Sequence, residues 1–117
     1  MHPQLEILLQ IQDLRLQQRE LAEAGRDVEE QEFNINVDKA LDTLNEKIAE
    51  LENELEPNIR QRYERISTGR GRPVVPVING ICYGCFVSIP TALASDVLYN
   101  EQLRHCDNCG RFLYRID

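Results

Sequence analysis

Apolar residues return at helical spacing through the first half of the chain and at strand-like spacing in its last third. Ile7, Ile11, Leu14, Leu21 and Val28 recur at steps of four, three or seven, and Val37, Leu41, Leu44, Ile48, Leu51 and Leu55 do the same. Both are heptad seams, the mark of paired helices. Set antiparallel, the seams place 7 opposite 55, 11 opposite 51, 14 opposite 48, 18 opposite 44, 21 opposite 41 and 25 opposite 37, so the chain reverses near Gln31. A tighter turn near residue 26 would put Gln31 opposite Leu21 and Asp38 opposite Leu14, burying polar groups without partners. Gly25 therefore falls inside the first helix. At 1.5 Å per residue the two arms make a rod of roughly 30–40 Å. Leu5, Leu9 and Leu16 lie off the seam, and an isolated hairpin would leave them in water. A C-terminal module returning to the base of the rod accounts for Leu5 and Leu9. Leu16 calls for a second copy of the chain, giving a homodimer, or for another protein.

Pro57 ends the seam and suits the first turn of a new short helix, Asn58 to Ile66, after which Ser67 to Pro73 reads as a linker. Beyond it, Val74–Ile78, Phe86–Ile89, Leu103–His105 and Phe112–Ile116 alternate as strands of a small antiparallel ribbon. Pro90 opens a short helix running to about Leu98. The fold class is thus α+β: an antiparallel coiled-coil hairpin over 1–56, a short helix and basic linker over 57–73, and a ribbon over 74–117.

Charge changes at the same boundary. Residues 1–56 carry five Arg or Lys against fifteen Asp or Glu, whereas residues 57–117 carry eight against five. The overall charge of −7 hides an acidic rod joined to a mildly basic remainder. The N-terminal run Met1–Glu6 has no basic segment, and Ile7-Leu8-Leu9 is soon broken by Gln10, Gln12 and Asp13. The expectation is a cytoplasmic protein with reduced thiols, neither exported nor membrane-bound.

The chemistry lies in four cysteines, Cys82 with Cys85 and Cys106 with Cys109, two Cys-x-x-Cys pairs separated by residues 86–105. That spacing fits one structural Zn2+ held by four thiolates. Each pair bends its backbone around the ion, a bend that favours a residue tolerant of positive φ: Gly84 in the first, Asn108 and Gly110 in the second. A disulfide inside Cys-x-x-Cys would close a strained small loop, and nothing upstream marks an oxidising compartment. A closed four-thiolate shell leaves no coordination position for water, and no Ser/His/Asp set or phosphate loop is present. No enzyme is expected. His105 and His2 are read as ordinary surface residues.

Further residues narrow the family. Glu56-Pro57-Asn58-Ile59, Tyr63-Glu64-Arg65-Ile66, Asn79-Gly80-Ile81-Cys82-Tyr83-Gly84-Cys85, Ile89-Pro90 and Cys106-Asp107-Asn108-Cys109-Gly110-Arg111-Phe112-Leu113-Tyr114 together resemble the bacterial four-cysteine zinc-ribbon family with an N-terminal coiled-coil hairpin. The resemblance spans about half the chain. It implies a hairpin topped by a zinc ribbon, no enzymatic activity, and roles as nucleic-acid binders or as adaptors linked to transcription and flagellar gene control. Family hairpins are typically much longer than this one.

Two functional readings remain open. In the first, the acidic rod contacts a protein of the transcription machinery, a polymerase subunit or sigma factor, through Leu16 and a tip of Glu29, Glu30, Glu32 and Phe33. The same tip also reads as a plain solvated turn. In the second, Arg60, Arg62, Arg65, Arg70 and Arg72, assisted by Arg104 and Arg111, contact RNA or DNA phosphates. Those arginines also read as neutralising the neighbouring acids.

Overall fold

A computed structural model describes residues 1–26, 31–69, 71–90 and 99–116, with the side chains of 26, 31–33 and 99 also outside the description. Three helices, α1 (Pro3–Arg26), α2 (Gln31–Asn53) and α3 (Pro57–Gly69), precede four strands. The strands are β1 (Val74–Ile78), β2 (Ile81–Cys82), β3 (Arg104–His105) and β4 (Phe112–Arg115), with a 3₁₀ turn at Tyr99–Glu101 before β3. The molecule is elongated, 55 × 27 × 24 Å. No described helix is long and apolar enough to cross a membrane.

The helical arms pair as the seams predict. A Cβ added to Gly25, inside α1, would sit 3.3 Å from Val37 Cγ1, and Gln18 Nε2 donates to Asn45 Oδ1 two turns further down. Ile11, Val37, Ile48, Leu51 and Leu55 are buried. Near its base, however, α1 buries more than a seam. Leu5 and Leu8 are wholly buried while Ile7 is only partly so, because α1 is covered on two sides there, by α2 and by the returning α3 and sheet. Leu5, Leu8, Ile11, Ile48, Leu51, Leu55, Ile59, Tyr63, Val74 and Phe112 form one core, with Leu9 packed against it. Each such aliphatic side chain contributes about 1.5–3 kcal/mol by leaving water. Leu16, beyond the reach of the base, is 47% exposed.

The corner into α3 is set by hydrogen bonds. Gln4 Oε1 accepts from Glu56 N at 2.9 Å, and Gln4 Nε2 donates to Glu54 O at 3.2 Å. Glu56 O accepts from Arg60 N, so Pro57 takes the first helical position, where a missing N–H costs nothing. The helix runs to Gly69, three residues past the expected end at Ile66. The Thr68 hydroxyl bonds the Glu64 carbonyl and helps carry this extra turn. Ile59, Tyr63 and Ile66 form its buried stripe. Arg15 Nε donates to the Tyr63 hydroxyl at 2.6 Å and reaches Glu52 at 3.3 Å, so one guanidinium ties all three helices. Burial raises the Tyr63 phenol above its ordinary pKa, so it remains a neutral hydroxyl accepting from Arg15.

The sheet departs from the expected all-antiparallel ribbon. Its order is β2-β1-β4-β3, with β1 and β4 parallel and the outer pairs antiparallel. Asn79-Gly80 closes the β1–β2 hairpin and the second Cys-x-x-Cys closes β3–β4, and the two hairpins join edge to edge along their longer strands. Phe86–Ile89, expected as a strand, contributes one bridge, Ser88 to Ile81. The helix expected from Pro90 to Leu98 lies outside the described residues. Strand alternation then divides the interior. Val74 and Phe112, paired in register, face the helices, whereas Val75, Val77 and Leu113 face the cysteines.

Candidate metal centre

The first cysteine pair follows a tight hairpin. Asn79 and Gly80 both take positive φ, 51° and 75°, the geometry that an Asn-Gly pair adopts most readily between two strands. That dipeptide was a legible hairpin signal that the spacing argument did not use. Cys82 leaves β2, and the chain turns so that Phe86 N donates to Cys82 O at 2.7 Å and Cys82 N to Val87 O at 3.0 Å. The second pair repeats this plan: Gly110 N to Cys106 O at 2.8 Å, Cys106 N to Arg111 O at 2.8 Å.

The residue that bears the positive φ is the one after each pair, Phe86 at 62° and Gly110 at 79°. Gly110 was expected there; Gly84 and Asn108 were also expected and do not adopt it. Gly84 is needed for space instead. A Cβ on it would lie 2.7 Å from Arg111 Cδ and 3.2 Å from Val75 Cγ2.

The two turns bring all four sulfurs within 4.8 Å of one another. Cys82 Sγ lies 3.8 Å from Cys109 Sγ, and Cys85 Sγ lies 3.7 Å from Cys106 Sγ. A tetrahedron with Zn–S bonds of about 2.3 Å has edges of about 3.8 Å, whereas a disulfide would need about 2.05 Å. The residues therefore fit one zinc ion, each close pair drawing one sulfur from each turn. Cys82, Cys106 and Cys109 are buried and Cys85 partly so, among Val75, Val77 and Leu113. In the thiol form, burial pushes Cys82 up to about 12 and Cys106 upward, whereas a hydrogen bond from the Asn108 side chain brings Cys85 down to about 6. A dication reverses the preference at the buried pair, because only thiolates ligate it.

The arginines proposed for nucleic acid are dispersed over several internal contacts. Arg60 bonds Glu64 and Asn53, and Arg62 bonds the Gly110 carbonyl at 3.3 Å. Arg104 bonds Gln102, and Arg111 Nε bonds the Arg72 carbonyl at 3.0 Å. Arg65 and Arg72 are exposed. Arg70, Glu29 and Glu30 lie outside the described residues, while Glu32 and Phe33 fall in the first turn of α2 with side chains outside the description. Sequence reasoning passed over a separate feature: Ile81, Tyr83, Phe86 and Val87, around the first turn, are 36%, 37%, 70% and 43% exposed.

Comparison with known proteins agrees with this geometry. Residues 81–113 match the C4-type zinc ribbon domain family, so the chain carries a C4 zinc ribbon whose four cysteines are positioned to bind one ion. Among solved structures, that of CT398 from Chlamydia trachomatis is similar, with 26% identity and a TM-score of 0.55. The match covers 73% of this chain and 38% of that one. A likeness of that extent cannot be confined to the ribbon and takes in helical structure as well. No curated protein matches the chain in sequence.

Proposed function

We propose that the chain is a non-enzymatic zinc-ribbon adaptor that works through protein contacts of its hairpin and acts on the transcription machinery. The observation that carries this reading is the shared core of Leu5, Leu8 and Ile11 with Tyr63, Val74 and Phe112. It makes the acidic arms a rigid extension of the ribbon, suited to presenting a fixed surface to a partner. Zinc in a closed four-thiolate shell holds that base together and has no place for a substrate. The resemblance to hairpin-bearing zinc-ribbon proteins supports transcription as the setting. Leu16, exposed on α1, offers an apolar contact to a polymerase subunit, a sigma factor or a second copy of the chain.

Affinity capture by the zinc-loaded protein, probed for polymerase subunits and sigma factors, tests the reading. Recovery that declines with Leu16→Asp and Phe33→Ala is the expected result; no recovery, or recovery indifferent to both, contradicts it. A second reading, RNA or DNA binding, draws on the exposed Arg65 and Arg72. It requires an affinity that falls steeply with salt and is lost when the arginines of 57–73 become alanine.

A further inference from the structure

We infer that the groove between α1 and the segment that joins α3 to β1 is a docking site for a protein partner, taking an apolar side chain flanked by Asp or Glu. This rests on the reading of the chain as a protein-binding adaptor and names the chemistry of the segment it grips.

The groove holds about 660 Å³, within the roughly 300–1,000 Å³ of clefts that bind ligands. Leu9, Leu16, Ala22, Leu41 and Pro73 give it an apolar lining, of which Leu16, 47% exposed, is the most open to water. Its far wall, Gly71 to Pro73, is pinned on both sides. Gln12 Oε1, from α1, accepts from Val74 N at 3.0 Å, and the Arg72 carbonyl accepts from Arg111 Nε at 3.0 Å. A partner therefore meets a preformed cleft and does not have to order it.

Charge selects the occupant. Arg15, Arg19 and Arg72 line the groove against one carboxylate, Asp13. Arg15 is already held by Glu52 and Tyr63, so that pair is set aside. Asp13 accepts from Gln17 and keeps its charge. The Arg19 and Arg72 guanidiniums are exposed, and neither has an ion-pair or hydrogen-bond partner among the described residues. Two unpaired cations thus face one anion, on a rod where residues 1–56 hold only five basic residues against fifteen acids. Ser67 lines the same wall, and its hydroxyl has no hydrogen-bond partner among the described residues, so an acceptor brought by the partner would supply one. An apolar segment bearing carboxylates finds a floor and counter-charges together, whereas a basic segment meets unpaired guanidiniums. A nucleic-acid strand longer than the groove would run on to the acids of the arms.

The test exposes the zinc-loaded full chain to a phage-displayed library of random dodecapeptides, with a uridine dodecamer followed by fluorescence anisotropy as the competing ligand. The selected peptides are expected to carry Leu, Ile, Met or Phe beside Asp or Glu. Arg19→Glu and Arg72→Glu should each bind them about tenfold or more weakly, since reversal sets like charges together. Arg65→Glu, the same charge change at an exposed position outside the groove, should bind them as the parent does. Peptides whose acids are exchanged for Lys should recover binding to the double variant Arg19→Glu/Arg72→Glu. Zinc content and far-UV circular dichroism should match the parent throughout, because both guanidiniums are exposed.

Peptides that are not acidic, or that bind both arginine variants unchanged, overturn the inference. If those peptides still respond to Leu16→Asp, the hairpin adaptor survives and the acidic partner does not. Uridine binding abolished by Arg19→Glu makes the groove a phosphate site and overturns it. A dimer in sedimentation that Arg19→Glu dissociates overturns it as well, with a second copy of the chain as the occupant.

Discussion

The two cysteine turns share a backbone plan and differ in what holds them. The second is fastened to the helical base: Arg62 bonds the Gly110 carbonyl, and Phe112 enters the core that Leu5, Leu8 and Tyr63 build. The first is braced by β1 and by Arg111 lying against Gly84, while Ile81, Tyr83, Phe86 and Val87 face outward. One turn thus serves as an anchor and its twin as a surface. Equal hydrogen bonding does not make them equal in stability or in use, and each can be perturbed separately.

The largest effect separates their sulfurs. Cys106→Ser removes a ligand that is 2% exposed, and the ribbon is expected to lose zinc and its ordered strands, because structural zinc supplies about 10–16 kcal/mol of folding free energy in small modules. Cys85→Ser, at the partly exposed position, should retain zinc with reduced affinity, since solvent can reach the vacated site. In Cys106→Ser the far-UV helical signal should decline too, because Val74 and Phe112 share one core with Leu5, Leu8 and Tyr63, whereas Cys85→Ser should keep it. Zinc stoichiometry and circular dichroism check this, and equal loss of metal from the two variants would break the distinction.

Protons divide the cysteines by burial and not by turn. Cys82, at about 12, and Cys106, raised by burial, are protonated at neutral pH, so binding zinc must expel at least those two protons. Each proton expelled weakens affinity about tenfold per unit fall in pH, giving at least about a hundredfold per unit as pH decreases from neutrality. Cys85, at about 6, joins only below that pH and steepens the dependence there. Competition titrations with a chelator across this range measure the slope.

Packing comes next. Phe112→Ala removes the second turn's link to the helical core and should cost about 3–5 kcal/mol. Tyr83→Ala, on the exposed turn, should change stability by less than about 0.5 kcal/mol. Chemical denaturation of the zinc-loaded protein distinguishes the two.

Much of this was readable beforehand, for identifiable reasons. The arms and their register follow from Ile11, Leu51 and Val37, since a heptad seam is a local pattern that needs only one partner. The metal site follows from spacing alone. What escaped was non-local. Leu8 became core because α3 and the sheet return over α1, and no periodicity within α1 reports that. The parallel pairing of β1 with β4 depends on how two reversals are joined. The spacing points to a conformational role for Gly84, whereas the packing of Arg111 explains it, and the strand pattern takes in Phe86 because aromatic residues rarely take positive φ.

The smallest effect is the sharpest, because its two halves should have opposite signs. Gly110→Ala forces a side chain into φ of 79° where the nearest atom, Arg62 Nη1, is 3.5 Å from the added Cβ. The cost is therefore backbone strain and not collision, about 1–2 kcal/mol. Phe86→Gly should do the reverse, relieving comparable strain while surrendering little packing, since the ring is 70% exposed. Glycine's extra freedom in the unfolded chain offsets part of that gain, by roughly 0.5–1 kcal/mol, leaving a net change between zero and about 1.5 kcal/mol in favour of folding. A thermal midpoint that rises or holds in Phe86→Gly and falls in Gly110→Ala would mean that the first turn keeps its phenylalanine for something other than stability. A clear fall in both would mean that the Phe86 ring supports the fold after all, and the contrast between anchor and surface would disappear.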